Sequence, residues 1–187
     1  VQRGFQGVGQ AGGQGAVMSR LEVRAALSLS SVYALRMLCL FMILPVFALY
    51  ATELEGVTPA LTGLAIGAYG LTQAILQIPA GLLSDRIGRK PVIIGGLLIF
   101  AAGSLVAALA DSIYIVILGR ALQGSGAIAA AVMALTADLT REEHRIKAMA
   151  LIGMSICLAF AAAMILGPVM NEWIGVPGIF WVTVGLA

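Results

Sequence analysis

The stretch GLLSDRIGRK, residues 81–90, joins two long apolar segments and places four charged side chains within six residues. Gly81 is small enough for a second helix to approach closely, and Asp85 favours the positive N-terminal end of a neighbouring helix. Gly88 permits a tight turn ahead of Pro91, a residue type that suits the first turn of a helix. On charge alone the stretch is an ordinary basic loop, so the spacing of its glycines and charges carries the information.

The composition around this stretch is that of a membrane protein. The chain has 187 residues, of which 60% are hydrophobic and 11% are charged, and its mean hydropathy is +1.02. Soluble domains contain about 25% charged residues, and small ones cannot bury most of their surface. These values exclude a soluble enzyme domain, a disordered chain and a nucleic-acid-binding module. Cys39 and Cys157 stand alone in apolar runs, so neither a disulfide framework nor a metal site is predicted, and no cofactor is expected.

The apolar segments predict an all-α membrane protein, because a spanning helix needs about 20 mostly apolar residues. Five complete spans are predicted at 27–50, 61–83, 91–110, 113–138 and 147–170, and a sixth begins at 178 and is cut off at 187. Since natural membrane proteins rarely stop halfway through a span, the chain is expected to be a fragment. Residues 1–17 are rich in Gly and Gln and predict a disordered lead-in. Met18 is a candidate true start, in which case the lead-in is not native.

Basic residues occur only in alternate loops, apart from two inside spans. The basic segments contain Arg3, Arg20 and Arg24, then Arg86, Arg89 and Lys90, then Arg141, Arg145 and Lys147. The charged residues of the intervening loops are all acidic, namely Glu53, Glu55, Asp111 and Glu172. Lys and Arg in short loops mark the cytoplasmic side. The sequence therefore predicts a multi-pass protein of the inner (plasma) membrane with a cytoplasmic N-terminus.

Arg36 and Arg120 lie inside predicted spans, where a charge costs at least about 2.5 kcal/mol and usually faces a cavity or a partner. Arg120 lies about 10 Å below the outer surface at 1.5 Å per residue. It is either a substrate or coupling residue or an arginine that snorkels to the surface, and the adjacent Gln123 and Gly124 favour the first interpretation. Arg36 is near mid-depth and has a functional or a structural role. We take Arg36, Arg120, Gln123 and Gly124 as the candidates for lining the cavity or for coupling.

The motifs identify a family. GLLSDRIGRK matches the G-x-x-x-D-[RK]-x-G-R-[RK] loop motif of the major facilitator superfamily at every defined position, and RALQGSG at 120–126 resembles the R-x-x-Q-G-x-G element of that family. LRML at 35–38, followed by LPV at 44–46, is similar to the YajR-like branch, which is usually grouped with proton-coupled drug antiporters. The resemblance covers about 18–187.

This resemblance implies twelve helices in two six-helix halves, each half built from two inverted three-helix repeats, with substrate bound between halves that rock. The chain would be the first half. Its implied partners are the lipid bilayer, a small-molecule substrate and the C-terminal half of the same chain, with no nucleic acid. The loop motif would help to close the cytoplasmic side in the outward-facing state. The residues with this implied role are Gly81, Asp85, Arg86, Gly88, Arg89, Lys90 and Asp138.

Within the motif, the resemblance implies that Gly81 packs against a helix of the second half and that Asp85 faces the N-terminus of that helix. It also implies that Arg89 pairs with Asp138. Contacts that form in one state and break in another can act as a switch.

The predicted function is secondary transport of a small solute, with export coupled to the proton gradient. An intramembrane enzyme would need a nucleophile–base or metal set, and His144 with two isolated cysteines cannot supply one. The alternative is a non-transporting scaffold or receptor of the same fold, which would not need Asp85, Arg89 and Arg120 at this spacing. No Asp or Glu lies deep in a complete span, so a proton-carrying carboxylate is not visible in this half.

Overall fold

The computed structural model describes residues Met18–Ala187, so the predicted lead-in at 1–17 lies outside the described residues. The described part is almost entirely helical, and its one extended pairing is an isolated bridge between Glu55 and Ser112. Five of its helical segments are long and apolar enough to cross a membrane. The prediction of an all-α membrane protein is confirmed, whereas the count of six membrane-spanning helices stays a prediction.

Six α-helical segments follow one another along residues 18–187. They are α1 (Arg20–Ala51), α2 (Pro59–Ile87), α3 (Arg89–Ala108), α4 (Ile113–Ser125), α5 (Ala129–Asp138) and α6 (Arg145–Leu186), with a short 3₁₀ helix at Glu142–His144 before α6. Only one residue, Gly88, separates α2 from α3. Its φ of +99° is a conformation that favours glycine, and it reverses the chain between the two helices.

The fourth span is predicted as one continuous helix over 113–138, but the structure has two helices there. α4 ends at Ser125, and Gly126 leaves the helical conformation with φ −73° and ψ 48°. The Gly126 backbone lies directly against Gly96 of α3, and a Cβ on either glycine would collide with the other segment. The helix is therefore interrupted at 126–128, where two glycines are in close contact. We call this interruption the break.

The fifth and sixth predicted spans, 147–170 and 178–187, follow each other within α6, where Gly175, whose φ and ψ are not helical, divides the segment into two helices without an intervening loop. The helix kinks at Gly175, which has φ +69°. Pro177 follows and has no N–H to donate to the helical ladder, so regular hydrogen bonding is interrupted at this point.

The helices pack as two groups. α1 lies along α6, whereas α2 and α3 both pack on α4, and contacts between α3 and α6 hold the groups together. Gly103 of α3 and Gly119 of α4 let their backbones meet without intervening side chains. The outer surface is rich in exposed large apolar side chains such as Leu98, Leu118 and Leu158, as a surface in contact with lipid requires.

Candidate functional site

Arg89, the first residue of α3, reaches three acceptors on neighbouring segments. One terminal nitrogen, Nη1, donates to Ser84 Oγ at 2.7 Å and to the Asp85 carboxylate, and Nε lies 3.3 Å from Asp138 Oδ2. This set, which we call the Arg89 link, joins the end of α2, the start of α3 and the end of α5. It brings together Asp85, Arg89 and Asp138, three of the residues to which the resemblance assigns a role in closing the cytoplasmic side.

Ser84 belongs to the Arg89 link but was not predicted as a site residue. Its side chain is buried, and its hydroxyl donates to the Gly81 carbonyl at 2.7 Å while it accepts from Arg89. The motif leaves this position undefined. The available signal was a small polar residue directly before Asp85, a residue type that readily bonds to the backbone of the preceding helical turn.

The other motif residues lie around the link. A Cβ on Gly81 would lie 3.4 Å from the Ala130 side chain, so the neighbour of Gly81 in this half is α5. The implied contact of Gly81 with a helix of the second half stays a prediction. The Asp85 side chain is bound by Arg89 and is 57% exposed. Arg86 and Lys90 are exposed at this end of the molecule.

A second polar site lies among the apolar helices, at Arg120. Its side chain is 2% exposed, with Nη1 3.0 Å from Gln123 Oε1 and Nε 3.5 Å from the Ala65 carbonyl oxygen. Its guanidinium carbon lies 5.3 Å from the centre of the Tyr69 ring, within the range of a cation–π contact. Within this half, α2 and α4 pack closely around Arg120 and supply its acceptors. That Arg120 lines the central cavity between the two halves stays a prediction.

Gln123 connects Arg120 to two other helices. Its Nε2 donates to Ser104 Oγ at 2.7 Å, and that hydroxyl donates to the Phe100 carbonyl at 2.8 Å. Its backbone carbonyl accepts from Arg36 Nη2 at 3.5 Å. Gln123 is therefore bonded to both intramembrane arginines and to α3.

Arg36 of α1 completes this group, which we call the two-arginine cluster (Arg36, Tyr69, Ser104, Arg120 and Gln123). The Arg36 side chain is 4% exposed and donates to the Gly126 carbonyl at the break. Its Nη2 lies 3.4 Å from the Tyr69 hydroxyl, and its guanidinium carbon lies 4.8 Å from the centre of the Phe100 ring. Tyr69 and Ser104 were not predicted, because single buried Tyr and Ser residues in apolar runs carry no distinctive pattern.

Gly124, the fourth cavity candidate, lies at a close contact between helices. A Cβ at this position would collide with the Tyr69 carbonyl and the Thr72 hydroxyl of α2. The space on this side of α4 is thus occupied by the α2 backbone, and glycine is what allows the two helices to approach.

The two intramembrane arginines have no carboxylate partner within residues 18–187. Eight of the nine acids lie near helix ends or in loops, and the ninth, Glu172, lies in α6 three residues before the kink at Gly175. The eight are Glu22, Glu53, Glu55, Asp85, Asp111, Asp138, Glu142 and Glu143. Two guanidinium groups therefore share the apolar interior with neutral acceptors only.

A buried acid near one helix end was also missed. Glu22 is 6% exposed, caps its own helix with Ser19, and accepts from the backbone nitrogen of Arg141 at 3.0 Å and from its Nε at 3.1 Å. The Glu22 carboxylate raises the pKa of the Arg141 guanidinium, mainly through the side-chain hydrogen bond. The S-x-x-E pattern at 19–22 predicts the cap, but not the distant partner.

His144 follows Arg141 in the same loop, at the end of the short helix Glu142–His144, and its side chain is almost completely buried.

Long apolar helices, a broken helix and a buried cluster of charged side chains define a polytopic helical membrane protein. Residues 29–187 match the family described as the Major Facilitator Superfamily. The chain belongs to this superfamily, which confirms the resemblance seen in its motifs.

Curated relatives agree with this assignment. The chain is 61% identical over 166 residues to "Inner membrane transport protein YajR" of Escherichia coli K12, covering 89% of the chain and 37% of that protein. It is 46% identical over 166 residues to an "Uncharacterized transporter" of Buchnera aphidicola subsp. Schizaphis graminum, covering 89% and 42%. It is 36% identical over 108 residues to "Multidrug resistance protein D" of E. coli K12, covering 57% and 27%. The chain thus spans about two fifths of the length of the first two relatives.

Proposed function

We propose that the chain is the N-terminal half of a secondary active transporter that exports a small solute by alternating access, driven by the proton gradient. The protein lies in the inner membrane with its N-terminus in the cytoplasm. The names of the relatives support this class of activity, since one is an inner membrane transport protein and another a multidrug resistance protein. The basic loops support the orientation.

The observation that carries the proposal is the two-arginine cluster. An ionised residue in the bilayer interior is costly, and such residues mark substrate or ion pathways. Arg36 and Arg120 are buried among neutral acceptors, and no acid of this chain reaches them. Their counter-charge is therefore supplied by an anionic group of the substrate or by a carboxylate of the second half.

Arg120 acts as a fixed positive charge. A guanidinium stays protonated at any working pH, so it is not the proton carrier. A charge held in a low-dielectric interior acts on other groups over several ångströms. An acid of the second half that comes near Arg120 has its pKa lowered and releases its proton more readily. Proton release is thereby linked to the approach of the two halves.

The Arg89 link is the second element of the proposed mechanism. It gathers the ends of three helices at the face that the resemblance assigns to the cytoplasm. An exposed ion pair of this kind is weak, so it biases the balance between two states without preventing exchange.

Reconstitution of the full-length protein tests the proposal. The protein is placed in lipid vesicles with an acidic lumen. The compounds tested are ethidium, a lipophilic cation, and a panel of small carboxylates and sugars. Uptake of each compound is measured with and without a protonophore. Uptake that the protonophore abolishes is expected for at least one compound, and the Arg120→Ala variant is expected to lose it. Thermal stabilisation by a compound that is never taken up would instead identify a receptor or scaffold of the same fold.

A further inference from the structure

The break in the fourth span leaves backbone groups without helical partners in the apolar interior. The last carbonyls of a helix have no intrahelical donor, and α4 ends at Ser125 well inside the membrane segment. At the start of α5, the cap residue Ile128 offers no side-chain hydrogen bond. Unsatisfied backbone groups are costly where no water is present, so an interruption at this depth needs a partner from another helix.

Arg36 is that partner. From α1 it donates to the Gly126 carbonyl within the break and to the Gln123 carbonyl one turn earlier at 3.5 Å. A positive charge at the C-terminal end of a helix is also favoured by the helix dipole. The planar guanidinium suits this task, because it can donate to several acceptors from one rigid group.

Arg36 also joins the two helix groups of the fold. α1 lies along α6 and makes few contacts with α2 and α5, and it scarcely touches α4. The Arg36 side chain nevertheless contacts Tyr69 of α2, Phe100 of α3 and the break. This one residue therefore connects α1 to each helix of the other group near the middle of the bundle.

The connection extends to Arg120 through Gln123. The Gln123 backbone accepts from Arg36, while its side chain accepts from Arg120 at 3.0 Å. A shift of the break would therefore move Gln123 and the acceptor that holds Arg120.

We propose that Arg36 is a positioning residue that holds the break of the fourth span in place, ties α1 to it, and thereby fixes Gln123 and Arg120. This role does not depend on which solute is moved, or on whether any solute is moved.

Hydrogen–deuterium exchange on the full-length protein in lipid nanodiscs tests the proposal. Peptides that cover 123–132 report on the break. Arg36→Met is expected to raise exchange there by about tenfold, the effect of losing one charge-assisted hydrogen bond. Arg36→Lys is expected to give a smaller rise, since an ammonium reaches the Gly126 carbonyl but cannot also serve the other acceptors. Arg24→Met, at an exposed arginine of the same helix, is the matched control and should leave the break unchanged.

The pattern across peptides decides the outcome. A rise confined to the break, partly rescued by lysine, supports the proposal. Unchanged exchange at the break in Arg36→Met, or an equal rise at 123–132 and at 151–165 of α6, would overturn it. If Arg36→Met does not fold, the Arg36→Lys and Tyr69→Phe variants are measured instead. A rise in hydrogen exchange that is confined to the break supports the proposal. Unchanged exchange at the break in both variants overturns it.

Discussion

Arg89 at the start of α3 lies 3.3 Å from Asp138 at the end of α5, measured between Nε and Oδ2. The two residues are 49 positions apart in the chain, and both lie at helix ends. The contact is partly exposed, so its strength responds to small changes in helix position and to salt.

Asp138→Asn in the full-length protein is expected to weaken this pair and to favour the state that is open at the motif end. Cysteines introduced one at a time at positions 82 and 83 of α2 should then react faster with a maleimide, while expression stays near normal. Glu142→Gln is the control, because Glu142 is exposed and pairs with Arg145. Equal labelling rates in the Asp138→Asn variant and the parent would contradict a role for the pair.

The loops with basic residues are expected to face the cytoplasm. In intact cells that express full-length protein with Cys39 and Cys157 replaced by alanine, a membrane-impermeant maleimide should label a cysteine at Glu55 but not one at Glu143. Both positions are exposed, so access from the outside decides the result. Labelling at 143 without labelling at 55 would reverse the proposed topology.

Arg120→Ala is expected to lower proton-driven flux in vesicles by about tenfold or more, the value of a lost charge-assisted hydrogen bond. Arg120→Lys keeps the charge and loses the planar donor geometry, so it should be less impaired. Size-exclusion chromatography checks the folding of each variant separately. Normal flux and pH dependence in a folded alanine variant would show that Arg120 has no part in coupling.

Gly124→Ala is expected to destabilise the protein by about 1–3 kcal/mol, because the added methyl group has to displace the α2 backbone at Tyr69. Gly95→Ala is the matched control, since a Cβ at Gly95 meets nothing within 4 Å. Thermal unfolding of the full-length variants in the same detergent measures the difference. Equal unfolding midpoints for Gly124→Ala and Gly95→Ala would show that α2 and α4 can move apart without loss of stability.

Glu22→Gln is expected to lower the thermal unfolding midpoint and to increase hydrogen exchange in the loop at 139–144. The amide keeps the shape of the carboxylate but loses the charge that binds the Arg141 guanidinium. Glu143→Gln removes an exposed acid from the same loop and is the control. A change no larger than that of the control would leave the Glu22 contact without a stabilising role.

Many residues of the two sites could be predicted from the sequence, but their contacts could not. The loop motif contains Arg89, and the family resemblance implied Asp138 as its partner. Hydropathy placed Arg36 and Arg120 inside spans, because charges in apolar runs are visible in the sequence alone. Ser84 and Tyr69 could not be predicted in this way, since the neighbouring sequence does not distinguish a buried hydroxyl that bonds an arginine from one that does not.

The sequence by itself determined the class of protein, because the length and hydropathy of a spanning helix are properties of a continuous segment. It also determined the superfamily, through two motifs of fixed spacing. The tertiary structure alone decided the break at 126–128, the enclosure of Arg120 and the contact between Glu22 and Arg141, which are 119 residues apart. These features depend on which helix surfaces meet and which backbone groups lack partners, and both are settled only when the helices pack.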